Sequence, residues 1–379
     1  MTADVMTKAA EATDAFATLI ETIRNRREEF DRLAHVPRDV VEQMKAAGIF
    51  RAATPKMFGG DAMPPADFLR MIDLIAREDG SAAWVAAFGS ANTYVAALPV
   101  ETQAKIYASG PDQVFAGGLY PLKPATEIED GYVVSGRWRF ASGCKGADWI
   151  GVGITIPGTA GTDVRMAVAP AADVEIIDNW EVFGLQGTGS HDTSVTEKFY
   201  PREWTCPRGG KSDVDEPLYR YPPMVFQAQV HAVCNIGMAR AALDLVRDMA
   251  AASKMMPGQA TLGDRAYFRT ALALGEARWQ SLSGFFYETA EEAWDMVVKT
   301  GEVSDHQRNL MRLAASYAAK TGAEIVQDCF RAAGMSVIAK THRLQQILRD
   351  AMVVMQHASL NDSTIEEVGG FLAGASKGL

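Results

Sequence analysis

Cysteine is scarce in this chain of 379 residues: the four that occur, Cys144, Cys206, Cys234 and Cys329, lie far apart and never form C-x-x-C. That spacing excludes a zinc or haem-attachment motif and reads as reduced, buried structural thiols, with no metal expected. No run approaches the roughly eighteen uncharged apolar residues of a spanning helix. No Lys/Arg-rich run long enough to make a nucleic-acid patch occurs either. The first thirty residues scatter Asp4, Glu11, Asp14 and Glu21 among alanines instead of a basic start and an apolar run. No signal peptide is therefore expected, and the protein is expected in the cytoplasm. Against 47 Asp+Glu stand 37 Lys+Arg, a formal charge of −10 that argues against nucleic-acid or anionic-membrane partners. A composition with 48% hydrophobic and 22% charged residues is that of an ordinary globular protein. A small, neutral or locally recognised substrate fits it better than a polyanion.

The apolar spacing predicts helix over 13–47, with Phe16, Leu19, Ile20 and Ile23 on one face. A breaker-rich loop follows at Thr54-Pro55-Lys56-Met57-Phe58-Gly59-Gly60, then a helix from Pro64-Pro65 towards Glu78, and a third over 81–109. From Gly117 the texture changes to short β-branched and aromatic runs parted by Gly, Pro, Asp and Asn. Asp130-Gly131 turns a hairpin between 126–129 and 132–140, and 149–156, 164–169, 174–177 and 193–200 supply further strands. After Pro222 the helical period returns over 224–255, 263–299, 304–333 and 343–375. Trp279, Leu282, Phe286, Ala290, Ala293 and Val297 line one face. The expected fold is mainly α with a central β domain: an N-terminal helical domain (1–112), a middle antiparallel β-barrel or sandwich (113–210) and a C-terminal four-helix bundle (211–379).

Three constellations bear on chemistry. Gly184-Leu185-Gln186-Gly187-Thr188-Gly189-Ser190-His191-Asp192 is a glycine-rich run, but a strand follows it where a dinucleotide fingerprint needs a helix. It reads as a turn, with a flavin-edge or substrate contact as the alternative, and its adjacent Ser, His and Asp cannot form a relay among themselves. Asp350 and His357 lie on one predicted helix, nearly two turns apart on the same face. His357 reads as a satisfied core histidine or as a catalytic one. In 136–143, Phe140 and Ser142 share a predicted strand face, from which an aromatic can stack on a planar group and a hydroxyl can bond it.

Asp79-Gly80-Ser81-Ala82-Ala83-Trp84, the strand pair over 130–143 with Ala147-Asp148-Trp149, Gly187-Thr188-Gly189-Ser190-His191-Asp192, and Leu344-Gln345-Gln346-Ile347-Leu348-Arg349-Asp350 followed by Gln356-His357-Ala358 occur in one order. Together they resemble the acyl-CoA dehydrogenase superfamily over nearly the whole chain. Within it they resemble the oxygenase components of two-component flavin-dependent (group D) monooxygenases, such as the indole and phenol hydroxylases. The resemblance implies reduced flavin (FMNH2 or FADH2) and O2 as co-substrates, a C4a-hydroperoxide, a separate NAD(P)H-dependent flavin reductase, a small aromatic substrate and a homotetramer. It implies flavin contacts at Leu119, Tyr120, Phe140, Ser142 and Gly143. Lys254 falls at the pyrophosphate position, and Gly334 and Ser336 at a neighbouring subunit's cofactor. Substrate contacts are implied at Trp84, Asn92 and His191, and catalytic roles for His357, as acid or base, and for Ser142 as the hydroxyl facing flavin N5.

The chain also departs from the dehydrogenase pattern. Met355-Gln356-His357-Ala358 stands where dehydrogenases carry their catalytic Glu, and Pro257-Gly258 replaces the usual Phe-Gly. Ser90-Ala91-Asn92-Thr93-Tyr94 lacks the histidine that some hydroxylases have there, so a second active-site histidine must come from elsewhere. A dehydrogenase or oxidase with an atypical base, an N- or S-oxygenating enzyme, and a non-catalytic relative remain as alternatives.

Overall fold

Of the face expected on helix α1 (Ala3–Leu33), Leu19 and Ile23 are fully buried and Phe16 and Ile20 are half-buried, and Phe30 is buried as well. In the computed structural model, which describes residues 3–156, 163–252 and 260–375, the chain continues through α2 (Arg38–Ala46), α3 (Pro65–Glu78), α4 (Gly80–Ala86), α5 (Asn92–Val95) and α6 (Val100–Ile106). Seven strands follow: β1 (Phe115–Ile128), β2 (Gly131–Trp138), β3 (Trp149–Ile156), β4 (Asp163–Pro170), β5 (Glu175–Ile177), β6 (Asp192–Pro201) and β7 (Thr205–Pro207). Helices α7 (Pro223–Ala252), α8 (Ala266–Thr300), α9 (Asp305–Ala333), α10 (Arg343–Val354) and α11 (Asp362–Leu372) complete it. No described helix is long and apolar enough to cross a membrane.

The chain forms two compact units, one of Met1–Pro64, Val85–Val182 and Gln186–Met224, the other of Pro65–Trp84, Phe183–Leu185 and Val225–Leu379. In the first unit the strands make one sheet in the order β5-β6-β2-β1-β3-β4-β7. Trp138, Tyr132 and Tyr200 are buried in its core, where Trp138 donates its indole N–H to the Gly153 carbonyl at 2.8 Å. The sequence predicts antiparallel pairing throughout, but β1 and β3 run parallel. The hairpin sends β2 back along β1, and residues 139–148 then cross to the far edge of β1, so β3 must run with it. The predicted helix over 13–47 breaks into α1 and α2 because Ala34 takes a positive φ of 53° and Pro37 follows.

In the second unit Leu282, Phe286, Ala290, Ala293 and Val297 are buried along α8 as expected, and Trp279 donates to the Ile236 carbonyl of α7 at 3.0 Å. Helices α3 and α7 approach so closely at Gly237 that a Cβ there would lie 2.5 Å from the Asp73 carbonyl oxygen, which makes glycine obligatory. The fourth bundle helix, predicted as one piece over 343–375, is two. Beyond Val354 the chain tightens into short turns, and Asn361 restarts it by accepting the Ser363 N–H at 3.1 Å as the cap of α11.

All four cysteines are free and buried, as their scattered positions imply. Burial pushes the thiols of Cys144, Cys206 and Cys329 up to about 12 and raises that of Cys234 as well.

Candidate active site

In the first unit the crossover from β2 to β3 carries the two residues that the sequence analysis sets on one strand face. It is not a strand there. Strand β2 ends at Trp138, and Phe140 takes a left-handed φ of 63°, a conformation that costs a non-glycine residue about 1–3 kcal/mol. The turn separates the pair: the Phe140 ring stands 62% exposed, edge-on to Trp180 at 6.1 Å, whereas Ser142 is 5% exposed. The Ala141 N–H donates to the His191 carbonyl at 3.0 Å and the Gly143 N–H to the Thr188 carbonyl at 2.8 Å, stitching the crossover to the glycine-rich run. Inside that seam Ser142 Oγ lies 2.6 Å from Ser190 Oγ, which lies 2.7 Å from Thr188 Oγ1. Three buried hydroxyls thus form a chain, and a hydroxyl can donate one bond while accepting two.

Ser190, His191 and Asp192 take different partners. His191 Nδ1 accepts the N–H groups of Asn179 and Trp180, each at 3.2 Å, so its ring proton sits on Nε2, 3.6 Å from Asp178. Burial, aided by the nearby Lys145 charge, lowers its pKa. Asp192 pairs with Arg137 at 2.6 Å. Leu119 and Tyr120 lie at an irregularity within β1, where pairing to β3 shifts register between Gly118 and Lys123. The Leu119 carbonyl abuts Gly153, whose Cβ would fall 2.0 Å from its oxygen, and the Tyr120 carbonyl accepts the Arg139 N–H at 3.0 Å. The Asn92 amide donates to the Phe50 carbonyl at 2.7 Å and Thr54 Oγ1 at 2.8 Å and accepts from the Tyr107 hydroxyl at 3.1 Å, so it braces the buried interior.

In the second unit three rings meet. His357 is not on α10 with Asp350: the helix ends at Val354, and His357 sits in the turn beyond it, its N–H bonded to the Val354 carbonyl at 3.2 Å. The expected shared helix face therefore does not exist. His357 stacks on His231 of α7, centroids 4.7 Å apart and planes within 10°. Trp84 of α4 lies 4.2 Å from the His231 centroid and 5.7 Å from that of His357. Asp79 caps α4 by accepting the Ala82 N–H at 2.7 Å and also accepts from Gln346 of α10 at 3.4 Å, while Asp350 accepts the Leu185 N–H at 2.6 Å. Three of the sequence motifs thus hold one another in place. His231 escapes sequence analysis because a lone histidine in an apolar helix carries no local signal. At the end of α9, Gly334 has φ 68° and Ser336 Oγ donates to the Ala333 carbonyl at 2.9 Å. Lys254 and Pro257-Gly258 lie outside the described residues.

An outward-held aromatic ring beside a buried hydroxyl chain, with strand backbone released from pairing in the same sheet, fits a planar ring system with polar edges. That is the shape of an isoalloxazine. Family models for the acyl-CoA dehydrogenase N-terminal domain and C-terminal domain match residues 8–107 and 229–362. An indole-3-acetate monooxygenase of Pseudomonas putida is 42% identical over 95% of this chain and 93% of that protein. The chain belongs to the flavin-dependent monooxygenases of the acyl-CoA dehydrogenase fold. The oxygenase subunit HsaA of a flavin-dependent monooxygenase of Rhodococcus jostii is 27% identical over 90% of this chain and 92% of its own. The crystal structure of 3-HSA hydroxylase from Rhodococcus sp. matches with a TM-score of 0.90 at 23% identity, covering 97% of both chains. As such a monooxygenase component, the protein takes reduced flavin and O2 as co-substrates, and its relatives named as oxygenase components imply a separate flavin reductase.

Proposed function

We propose that this monooxygenase component hydroxylates a small, flat heteroaromatic acid of the indole-3-acetate type. The observation that carries the reading is the 42% identity, spread over 95% of the chain, to an enzyme named for that substrate. Reduced flavin, when bound, supplies the two electrons with which one atom of O2 is reduced to water while the other enters the substrate. The protein's own groups bind and orient. Phe140 offers its exposed ring as a stacking surface, Leu119 and Tyr120 offer backbone from the stretch of β1 not paired to β3, and Gly143 fixes the crossover through its bond to Thr188. Ser142 Oγ would accept a hydrogen bond from the N5–H of bound reduced flavin while donating its own hydroxyl hydrogen bond to Ser190 Oγ. Trp84 offers an apolar wall to an aromatic substrate, and His357 handles a substrate proton. Asn92 and His191 act through the backbone they brace.

The direct test mixes the protein with anaerobically reduced FAD or FMN, then with O2 and indole-3-acetate, indole or phenol. Oxygenated indole-3-acetate should accumulate with the highest yield per reduced flavin. Release of all the oxygen as hydrogen peroxide with every aromatic would end the monooxygenase reading. Peroxide with indole-3-acetate but product with phenol would end only the substrate assignment.

The oligomer belongs to the same proposal. Met335, 78% exposed, and Ile338 stand beside Gly334 and Ser336 at the end of α9, an apolar projection suited to a neighbouring copy. Sedimentation velocity should find a homotetramer, and a monomer at micromolar concentration that still holds flavin tightly would rule this out.

A further inference from the structure

We propose that His231 is a positioning residue for His357: by stacking flat against it, His231 fixes the plane of the His357 ring and the nitrogen that carries its proton. The inference rests on the reading of His357 as the group that serves the substrate, and it supplies from α7 the second histidine that the 90–94 segment lacks.

Both rings have a decided tautomer. His231 Nδ1 lies 2.6 Å from the Gln227 carbonyl one helical turn earlier. A carbonyl only accepts, so Nδ1 must hold the proton and Nε2 is unprotonated. On His357 the polarity is reversed: the Ser359 N–H donates to Nδ1 at 3.3 Å, which places the proton on Nε2. The neutral His357 therefore presents an N–H donor at Nε2 and reaches its acceptor nitrogen only by giving up the Ser359 bond. In a half-buried turn, with the Ser359 bond as long as 3.3 Å, what packs flat against the ring constrains χ1 and χ2. The parallel face of His231, itself held by the helix carbonyl and flanked by Trp84, provides that constraint. His231 does not compete for the working proton. It is almost fully buried, and burial, with the charge on His357 as a lesser cause, pushes its pKa down to about 3. The pair is thus divided: one ring is a fixed neutral plate, and the other is the ring that exchanges hydrogen bonds with the substrate.

A flat ring and a branched aliphatic side chain of similar bulk separate stacking from packing. His231→Phe, His231→Leu and His357→Ala are prepared with 15N-labelled histidine. Solid-state 15N spectra assign the His357 signals by their loss in His357→Ala, and the same samples are assayed with reduced FAD, O2 and indole-3-acetate. His231→Phe should keep the His357 spectrum of a single Nε2–H tautomer and an oxygenation rate close to wild type. His231→Leu should show averaged His357 tautomers and a rate lower by about tenfold or more, the scale expected when a reacting group is misplaced. Melting temperatures of the two His231 variants place any loss on the folded protein. A His231→Leu protein with the wild-type His357 spectrum and the rate of His231→Phe would overturn the positioning role. Normal oxygenation by His357→Ala would instead remove the catalytic reading of His357, and the spectra would still decide whether His231 sets its ring.

Discussion

His357→Ala is expected to slow formation of oxygenated product in a single turnover by about a hundredfold, the usual scale for losing a positioned acid or base. The Ser359 N–H at Nδ1 puts the ring proton on Nε2 and the His231 ring lies 4.7 Å away, so the proposed working atom is Nε2. A deletion there removes a donor without disturbing α10, which ends at Val354. Rapid-mixing assays normalised to folded protein decide the matter. If His357 merely packs, the variant melts lower and its rate per folded molecule equals that of the parent.

Ser142→Ala should uncouple the reaction, lowering product per reduced flavin severalfold and raising hydrogen peroxide by the same number of equivalents. The lost contact is a neutral hydrogen bond, worth about 1 kcal/mol on average and more in a dry, polarised chain. Ser142 also orders its neighbours: without it, Ser190 keeps Thr188 as its hydroxyl partner and loses the bond at 2.6 Å. Ser190→Ala should therefore reproduce part of the defect, since the Ser142 hydroxyl persists but loses the acceptor that orients it. Peroxide and product quantified together over the two variants separate these effects, and unchanged coupling in Ser142→Ala would take Ser142 out of the site.

The helix-to-sheet-to-helix order was legible because burial follows periods of 3.6 and 2 residues, and residues such as Leu282 and Phe286 declare the inward face of α8 from spacing alone. Breaks in those periods were less legible. Residues 355–361 keep enough apolar character to read as helix, and only the Asn361 cap and the short turns before it divide the segment. Parallel pairing of β1 with β3 depends on which edge the crossover reaches, which no local pattern encodes. The site showed the same limit. Phe140 and Ser142 were visible as residue types, yet the left-handed turn at Phe140 sends one outward and the other inward, and alternation along a strand predicts the opposite. The motifs around Asp79, Gln346 and Asp350 were visible as words, while their mutual hydrogen bonds join residues more than 160 positions apart.

An oxygenase that misfires makes an oxidant inside its own fold, and the scarcity and burial of its cysteines bear on that hazard. Peroxide attacks thiolates, and thiols raised this far by burial are almost wholly protonated at neutral pH. With all four also shut away from solvent, the chain offers its by-product no ready sulfenic-acid or disulfide trap. Oxidative wear then falls on thioethers at the surface, Met57 foremost, where a sulfoxide is reversible and disturbs no core.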